Sequence, residues 1–132
     1  MTNEEEFKRW FAQAKRDLDA AEASKQANAF EWSCFQSQQA AEKALKAFLY
    51  VQGERIVAGH SIFKLLERCA SYEASFNELA LVKRLDEVYI TSRYPNSLDE
   101  GIPGEFYTAE DAEECLSLAK RVLEFVSRRG VS

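Results

Sequence analysis

The sequence is poor in the two residues that interrupt helices: it has five glycines and two prolines, and none of them precedes Gly53. No long segment alternates apolar and polar residues as a half-buried strand does. No apolar run approaches the roughly 18–20 residues that a membrane-spanning helix requires. The acidic start, residues 1–6, lacks the basic and apolar parts of a signal peptide. These absences predict an all-helical protein of the cytoplasm with no membrane segment.

Metal-binding and nucleophilic residues are also scarce. There is one histidine, His60, and the three cysteines Cys34, Cys69 and Cys115 are far apart in the chain. An odd number of widely spaced cysteines is atypical of a disulfide framework or a zinc site, and reduced buried thiols are the prediction. Glycine-rich phosphate loops and nucleophile elbows are missing from the sequence as well. We therefore expect no metal site and no cofactor, and most enzyme classes lack support.

Charge and size set further bounds. The formal net charge is −5, which disfavours tight, non-specific binding of nucleic acid but does not exclude a local basic site. Hydrophobic residues make up 46% and charged residues 30%, as in ordinary globular proteins. A chain of 132 residues suits one core, so we predict a single domain over residues 1–132.

Helical periodicity divides the chain into five amphipathic helices, with residues 93–107 as the longest irregular stretch. The fold class predicted is all-α: an up-and-down antiparallel helical bundle of five helices, with a four-helix-bundle-like core plus a short helix. The predicted helices and their capping residues are Glu4–Ser24 with Asn3 and Glu6; 28–52 with Asn28 and Glu31; His60 or Ser61 to Tyr72; Ser75–Ser92 with Ser75 and Glu78; and a last helix from Thr108 with Asp111.

The second predicted helix is the element around which the chain is organised. One of its faces is apolar and carries small residues that permit close helix packing. A different face carries a polar stripe, and the prediction is that this stripe is solvated, the alternative being that it faces a ligand or a partner. The stripe consists of Gln36, Gln39, Lys43, Lys46 and Tyr50.

Residues at the end of the fourth predicted helix are suited to binding an anion. Arg93 is followed by Tyr94, Pro95 and Asn96, and Tyr89 lies one turn earlier. An arginine that projects from a helix end can clamp a phosphate bidentately, while a neighbouring tyrosine stacks or donates a hydrogen bond. The alternative is that Arg93 serves only the helix dipole and the free carbonyls of the helix end.

Two weaker features involve the remaining cations and the histidine. Arg55 precedes His60 by five positions in the loop after the second helix, and an arginine with a histidine can stabilise a phosphoryl transition state and move a proton. The alternative is that His60 caps a helix and Arg55 is solvated. Lys43 and Lys46 lie one turn apart on one helix face and can receive an anion as a pair.

An ordered set of residues along nearly the whole chain resembles the HEPN domain family, named for higher eukaryotes and prokaryotes nucleotide binding. The matching segments begin in the first helix and continue into the last. They are Ala14 with Asp17 and Leu18; Gln38-Gln39-Ala40-Ala41-Glu42-Lys43-Ala44-Leu45-Lys46-Ala47; His60-Ser61-Ile62 with Leu65 and Leu66; Tyr89 with Ser92-Arg93-Tyr94-Pro95-Asn96; and Tyr107 with Asp111 and Ala112.

The resemblance implies an up-and-down helical bundle that is usually a homodimer. It also implies a partner, because many short prokaryotic HEPN proteins pair with a minimal nucleotidyltransferase in a toxin–antitoxin-like arrangement. Several family members are metal-independent ribonucleases with an arginine followed, four to six residues later, by a histidine. Arg93 falls where that arginine is expected, but Tyr94 and Pro95 follow it and no histidine does.

Three functions follow in order of preference. The first is a HEPN module that binds a nucleotide or a partner, with Arg93 on the phosphate and nearby contacts from Tyr89, Tyr94, Asn96, Lys43 and Lys46. The second is a metal-independent ribonuclease toxin, in which His60 and Arg93, or His60 and Arg55, are the catalytic residues. The third is a purely structural helical adaptor without a ligand.

Overall fold

All regular elements of the computed structural model, which describes residues 1–130, are helices. The predicted all-α class is therefore confirmed, although the helices differ from the five expected. In chain order they are α1 (Asn3–Gln26), α2 (Phe30–Val51), α3 (Ile62–Tyr72), a 3₁₀ helix (Ala74–Glu87, hereafter the 3₁₀ segment), α4 (Val88–Thr91), a short 3₁₀ turn (Pro95–Ser97), α5 (Pro103–Phe106) and α6 (Ala109–Ser127). The predicted irregular stretch 93–107 thus contains two short helical turns.

The N-terminus of α1 begins one residue earlier than predicted. Thr2, not Asn3, is the N-cap: its hydroxyl accepts from the backbone N–H of Glu5 at 3.1 Å, and the Glu5 carboxylate accepts from the N–H of Thr2 at 2.8 Å. The prediction that Asn3 and Glu6 form this capping box was wrong. A shift of one residue is expected where several adjacent polar residues are able to cap.

The turn between α1 and α2 differs more from the prediction. Asn28 has φ of 61° and lies just beyond α1, while Ala29 is the N-cap of α2 and makes no side-chain capping bond. Asn28 was wrongly predicted to cap α2. Asparagine is one of the few residues that tolerates the left-handed conformation, so its role here is to reverse the chain after α1.

The caps of α3 and α6 are as predicted. The Ser61 hydroxyl accepts from the N–H of Lys64 at 3.2 Å, and Thr108 with Asp111 forms a reciprocal capping box. Asp86 also accepts the N–H of Ile62 at 2.6 Å, which ties the start of α3 to the 3₁₀ segment. The loop that carries His60 is therefore anchored at its end.

The fourth predicted helix is not one α-helix. Residues 74–87 are a 3₁₀ helix with a non-helical residue at Leu79, and only 88–91 are α-helical. The buried residues of this region recur every three positions, which is the 3₁₀ repeat and not the 3.6-residue α repeat. They are Phe76, Leu79, Val82, Leu85 and Val88.

Helix α2 is the central element of the core and packs against both long helices, α1 and α6. Most of its residues are buried, among them the small residues Ala40, Ala41 and Ala44. The prediction of a solvated polar stripe was wrong for Lys46 and Tyr50, which are both buried. Helix α2 is covered on more sides than an ordinary surface helix, so polar side chains also enter the interior.

The three cysteines are free thiols and are buried, as predicted. Among the helices of residues 1–130, none combines the length and the apolar character needed to cross a membrane.

Candidate functional site

Arg93 lies among aromatic rings just after α4. Its Nε donates to the carbonyl of Tyr89, one turn earlier, at 2.9 Å. Its Cζ lies 4.3 Å from the ring centroid of Phe35, 4.6 Å from that of Tyr89 and 5.2 Å from that of Tyr94. These are cation–π distances, so the rings hold a guanidinium that is half-buried rather than fully solvated.

His60 packs on the same tyrosine. Its imidazole stacks on the Tyr89 ring at a centroid distance of 4.8 Å and an interplanar angle of 19°. The structure therefore brings His60 and Arg93 to one aromatic ring, although they are far apart in sequence. We call Phe35, His60, Tyr89, Arg93 and Tyr94 the Arg93 cluster.

The imidazole is held by a buried carboxylate. Glu42 Oε1 lies 3.1 Å from His60 Nδ1, and the side chain of Glu42 is only 4% exposed while that of His60 is 57% exposed. Glu42 Oε2 accepts from Lys46 Nζ at 3.2 Å, and the Lys46 side chain is 7% exposed. A carboxylate on one ring nitrogen fixes the imidazole and leaves the other nitrogen, Nε2, for a proton or a ligand.

The amide of Gln38 completes this network. Its Nε2 donates to the backbone carbonyl of His60 at 3.0 Å and to Glu42 at 3.3 Å, and its Oε1 accepts from Gln39 at 2.8 Å. Gln38 is fully buried, so it positions both the His60 loop and the carboxylate. The α-helical spacing of four places Gln38, Glu42 and Lys46 on one line of α2.

The two lysines that were predicted to receive an anion as a pair have separate carboxylate partners. Lys46 binds Glu42 beneath His60, whereas Lys43 Nζ binds Asp17 of α1 at 2.6 Å. Asn96 and Arg55 are exposed. The structure thus brings together His60, Tyr89, Arg93 and Tyr94, joins Lys46 to them through Glu42, and places Lys43 against α1.

Phe35, Gln38 and Glu42 were not singled out as site residues from the sequence. The available signal was the ladder of Gln38, Glu42 and Lys46 on a helix whose other faces are apolar. Only Lys46 of this ladder belonged to the predicted solvated stripe, so the ladder was not recognised as one set. Polar side chains that point into a core are either paired or functional.

The cysteines do not contribute a nucleophile to this site. A hydrogen bond with Cys115, together with burial, raises the pKa of the Cys34 thiol, and burial raises the pKa of Cys69 to about 12. Both remain protonated at neutral pH, and a thiol is a poor nucleophile. Among residues 1–130, no group of three or more His, Cys, Asp or Glu side chains is placed to hold a metal ion.

Comparison with known families identifies the class of protein that this fold and site represent. The family model of the HEPN domain matches residues 7–129, nearly the whole chain. The chain belongs to the HEPN domain family, and the resemblance read from the sequence is confirmed.

Individual relatives agree with this assignment. The chain is 33% identical over 128 residues to the Methanocaldococcus jannaschii protein named "Putative toxin MJ1304", covering 90% of this chain and 84% of that protein. It is 36% identical to TT1696 from Thermus thermophilus, with a TM-score of 0.87, covering 92% of this chain and 96% of that one. It is 38% identical to ST0689, an archaeal HEPN homologue, with a TM-score of 0.70, covering 93% and 96%.

Proposed function

We propose that this chain is the toxin-type component of a toxin–antitoxin-like pair and that it binds a nucleotide or an RNA phosphate at the Arg93 cluster. The relative named as a toxin supports the first part. The second part rests on one observation: no carboxylate pairs with Arg93 among residues 1–130. The guanidinium lies over aromatic rings, and its Nε donates to the carbonyl of Tyr89.

The geometry suits a phosphate for two reasons. Only Nε of Arg93 donates within the described residues, so both terminal nitrogens keep their N–H groups for an incoming ligand. A planar guanidinium offers two parallel donors that match two phosphate oxygens. Tyr94, which is exposed beside it, supplies a ring on which a base can stack.

Calorimetric titration with AMP and with a short oligoribonucleotide tests the proposal. We expect saturable binding to the wild type and a loss of at least about tenfold in affinity for Arg93→Ala, because a charge-assisted hydrogen bond contributes about 1.5–3 kcal/mol. Arg128→Ala is the matched control, since it removes an exposed arginine at the end of α6, outside the cluster. Equal losses in the two variants would contradict the assignment of the phosphate to Arg93.

A second candidate function is metal-independent cleavage of RNA, and the Glu42–His60 contact favours it. His60 Nε2 would accept the proton of a ribose 2′-hydroxyl, whose oxygen then attacks phosphorus as the bond to the 5′-oxygen breaks. Arg93 would stabilise the charge that develops on the phosphoryl oxygens. The 5′-oxygen takes a proton from water as it leaves, so the products are a 2′,3′-cyclic phosphate and a free 5′-hydroxyl.

Cleavage of RNA in EDTA separates this candidate from simple binding. If the wild type cleaves, His60→Ala and Arg93→Ala should abolish cleavage, and Glu42→Gln should reduce it and shift its pH profile. Cleavage that survives in all three variants would reveal a contaminant. Binding without any cleavage would contradict the nuclease candidate and leave the binding function in place.

The family resemblance supports a homodimer and a minimal nucleotidyltransferase as partners. Several large apolar side chains near the Arg93 cluster or in α5 are exposed, including Trp32, Ile90 and Phe106. Light scattering of the purified chain tests the dimer. Purification of the tagged chain from its native cells tests the pair, and a minimal nucleotidyltransferase at a fixed ratio is the expected result. A chain that elutes alone would contradict the pairing.

A further inference from the structure

A second groove lies between α1 and α2 and shares no residue with the Arg93 cluster. Arg9, Trp10, Gln13 and Lys43 line it, and its volume is about 410 Å³. We call it the Trp10 groove. Proteins bind single-stranded nucleic acid with cationic side chains along the backbone and aromatic rings on which the bases stack. The Trp10 groove has both, and the Gln13 amide adds a hydrogen-bonding group.

The indole of the groove is held in place from within the protein. Trp10 stacks on Tyr50 with a centroid distance of 5.3 Å and an interplanar angle of 27°. Lys46 Nζ lies 5.7 Å from the Trp10 ring centroid. Because Tyr50 and Lys46 are both buried, Trp10 is a rigid and half-buried platform rather than a mobile surface side chain.

Asp17 holds the polar side of the groove. Its two carboxylate oxygens accept from Gln13 Nε2 at 2.9 Å and from Lys43 Nζ at 2.6 Å. An ammonium has three N–H donors, so Lys43 keeps donors for a phosphate. The carbonyl oxygen of Gln13 is likewise an acceptor that the contact with Asp17 does not use.

Arg9 at the rim is similarly available. It binds Glu6 through Nη1 at 2.8 Å, and its side chain is 63% exposed. An exposed ion pair of this kind contributes little to stability, so a phosphate can replace or join the carboxylate at small cost.

The Trp10 groove adjoins the Arg93 cluster through α2. Lys46 contacts Trp10 on one side and Glu42 on the other, and Glu42 contacts His60. A ligand bound at His60 and Arg93 is therefore separated from Trp10 by two side chains. Because Glu42 and Lys46 are buried, the two sites are close to each other through the interior of the protein. This proximity is the basis for assigning them to consecutive units of one strand.

We propose that the Trp10 groove is a second nucleotide subsite, which binds a neighbouring unit of single-stranded RNA whose adjacent phosphate lies at the Arg93 cluster. The base of this unit stacks on Trp10, and its own phosphate binds Lys43 and Arg9. Gln13 accepts a hydrogen bond from a base amino group. This inference rests on the proposed binding function and adds to it a preference for oligonucleotides over mononucleotides.

Tryptophan fluorescence provides a direct test because the chain has only two tryptophans, Trp10 and Trp32. In a Trp32→Phe background, Trp10 is the sole indole. We expect an adenosine tetranucleotide to quench Trp10 and to bind at least about fivefold more tightly than AMP, since each base stacked on an aromatic ring strengthens binding. AMP at saturation should leave the fluorescence unchanged.

Calorimetric titration of variants in the same background completes the test, because AMP is expected to leave the fluorescence unchanged and Trp10→Leu removes the remaining indole. Lys43→Gln and Trp10→Leu should bring the affinity for the tetranucleotide close to that for AMP and leave AMP binding unchanged. Lys43→Gln keeps the test valid if Trp10→Leu fails to fold. Lys8→Gln, the same charge change at an exposed position of α1, is the matched control and should have no effect.

Two outcomes separate this inference from the function on which it rests. If AMP binds but the tetranucleotide binds no more tightly and leaves Trp10 unquenched, the second subsite is wrong and the Arg93 site stands. If neither ligand binds, both are wrong.

Discussion

Two arginines of this protein share one local arrangement and differ in their electrostatic surroundings. Arg93 and Arg129 each lie over an aromatic ring four residues earlier, and each donates to the carbonyl of that same residue. Arg129 also binds Glu73 through Nε and Ser75 through Nη2 at 3.3 Å. Arg93 has no carboxylate partner among residues 1–130.

The difference distinguishes a structural cation from one that is available to a ligand. The donors of Arg129 are used to fasten the end of α6 to the start of the 3₁₀ segment. Among residues 1–130 the terminal donors of Arg93 make no hydrogen bond, as the proposed phosphate site requires. Lys46 belongs with Arg129, because it is buried together with its carboxylate partner Glu42.

The largest expected effect is a loss of stability at the buried ion pair of Glu42 and Lys46. Glu42→Ala leaves Lys46 in the interior without its partner, and breaking such a pair costs about 3–5 kcal/mol. Urea unfolding measures the loss. The double variant Glu42→Leu/Lys46→Met should recover most of it, since it buries no charge. A loss below about 1 kcal/mol in the single variant would show that Lys46 finds another partner or solvent.

A smaller effect, on nucleotide affinity, is expected when the guanidinium of Arg93 is replaced by an ammonium of the same charge. Arg93→Lys should weaken nucleotide binding by about 1.5 kcal/mol, which is less than the loss in Arg93→Ala, because an ammonium replaces a bidentate contact by a single one. Calorimetry measures this loss. Arg129→Lys is the matched control and should bind as the wild type does. Unchanged affinity in Arg93→Lys would mean that charge alone, and not the fork, recognises the ligand.

Removal of the Arg129 side chain is expected to lower stability and to leave nucleotide affinity unchanged. Arg129→Ala removes hydrogen bonds to Glu73 and Ser75 and the contact with Phe125, and should lower the free energy of unfolding by about 1 kcal/mol. Urea unfolding checks this, with Arg128→Ala as the neighbouring control. Nucleotide affinity should not change, and a parallel loss of affinity would remove the distinction between the two arginines.

The smallest expected effect is a pH dependence of stability that comes from Glu73, the carboxylate partner of Arg129. Hydrogen bonds from Ser75 and Arg129 lower the pKa of Glu73. A lowered folded pKa stabilises the protein above the unfolded pKa, and this stabilisation disappears as the pH falls through the folded value. The stability difference between wild type and Glu73→Gln should therefore be present at pH 7 and vanish at pH values well below the usual glutamate pKa of about 4.3. A stability difference between wild type and Glu73→Gln that does not change with pH would contradict the lowered pKa of Glu73 as its cause.

Sequence periodicity predicted the long helices well because their apolar faces follow the α repeat. It failed at residues 74–87, where Phe76, Leu79, Val82 and Leu85 recur every three residues. That spacing is a 3₁₀ signal, which the prediction of one amphipathic helix over Ser75–Ser92 missed. Caps failed where adjacent polar residues compete, as at Thr2 and Asn3.

The grouping of side chains in the Arg93 cluster was predicted in part. Arg93 with Tyr89 and Tyr94 could be found because they lie within one turn and a half of each other. The contact of His60 with Tyr89 depends on how the loop after α2 folds against α4, and local sequence does not specify that. Glu42 was missed because its burial depends on how other helical segments pack around α2, which local sequence does not specify.

The most direct test of the account is side-chain arginine NMR during a titration with the adenosine tetranucleotide. Arg93→Lys and Arg129→Lys assign the two signals. We predict that the Arg93 guanidinium resonances shift with saturation as phosphate binds, while those of Arg129 stay in place. A ligand that binds without moving the Arg93 resonances, or that moves the two arginines equally, would contradict the claim that Arg93 is the cation available to an external anion.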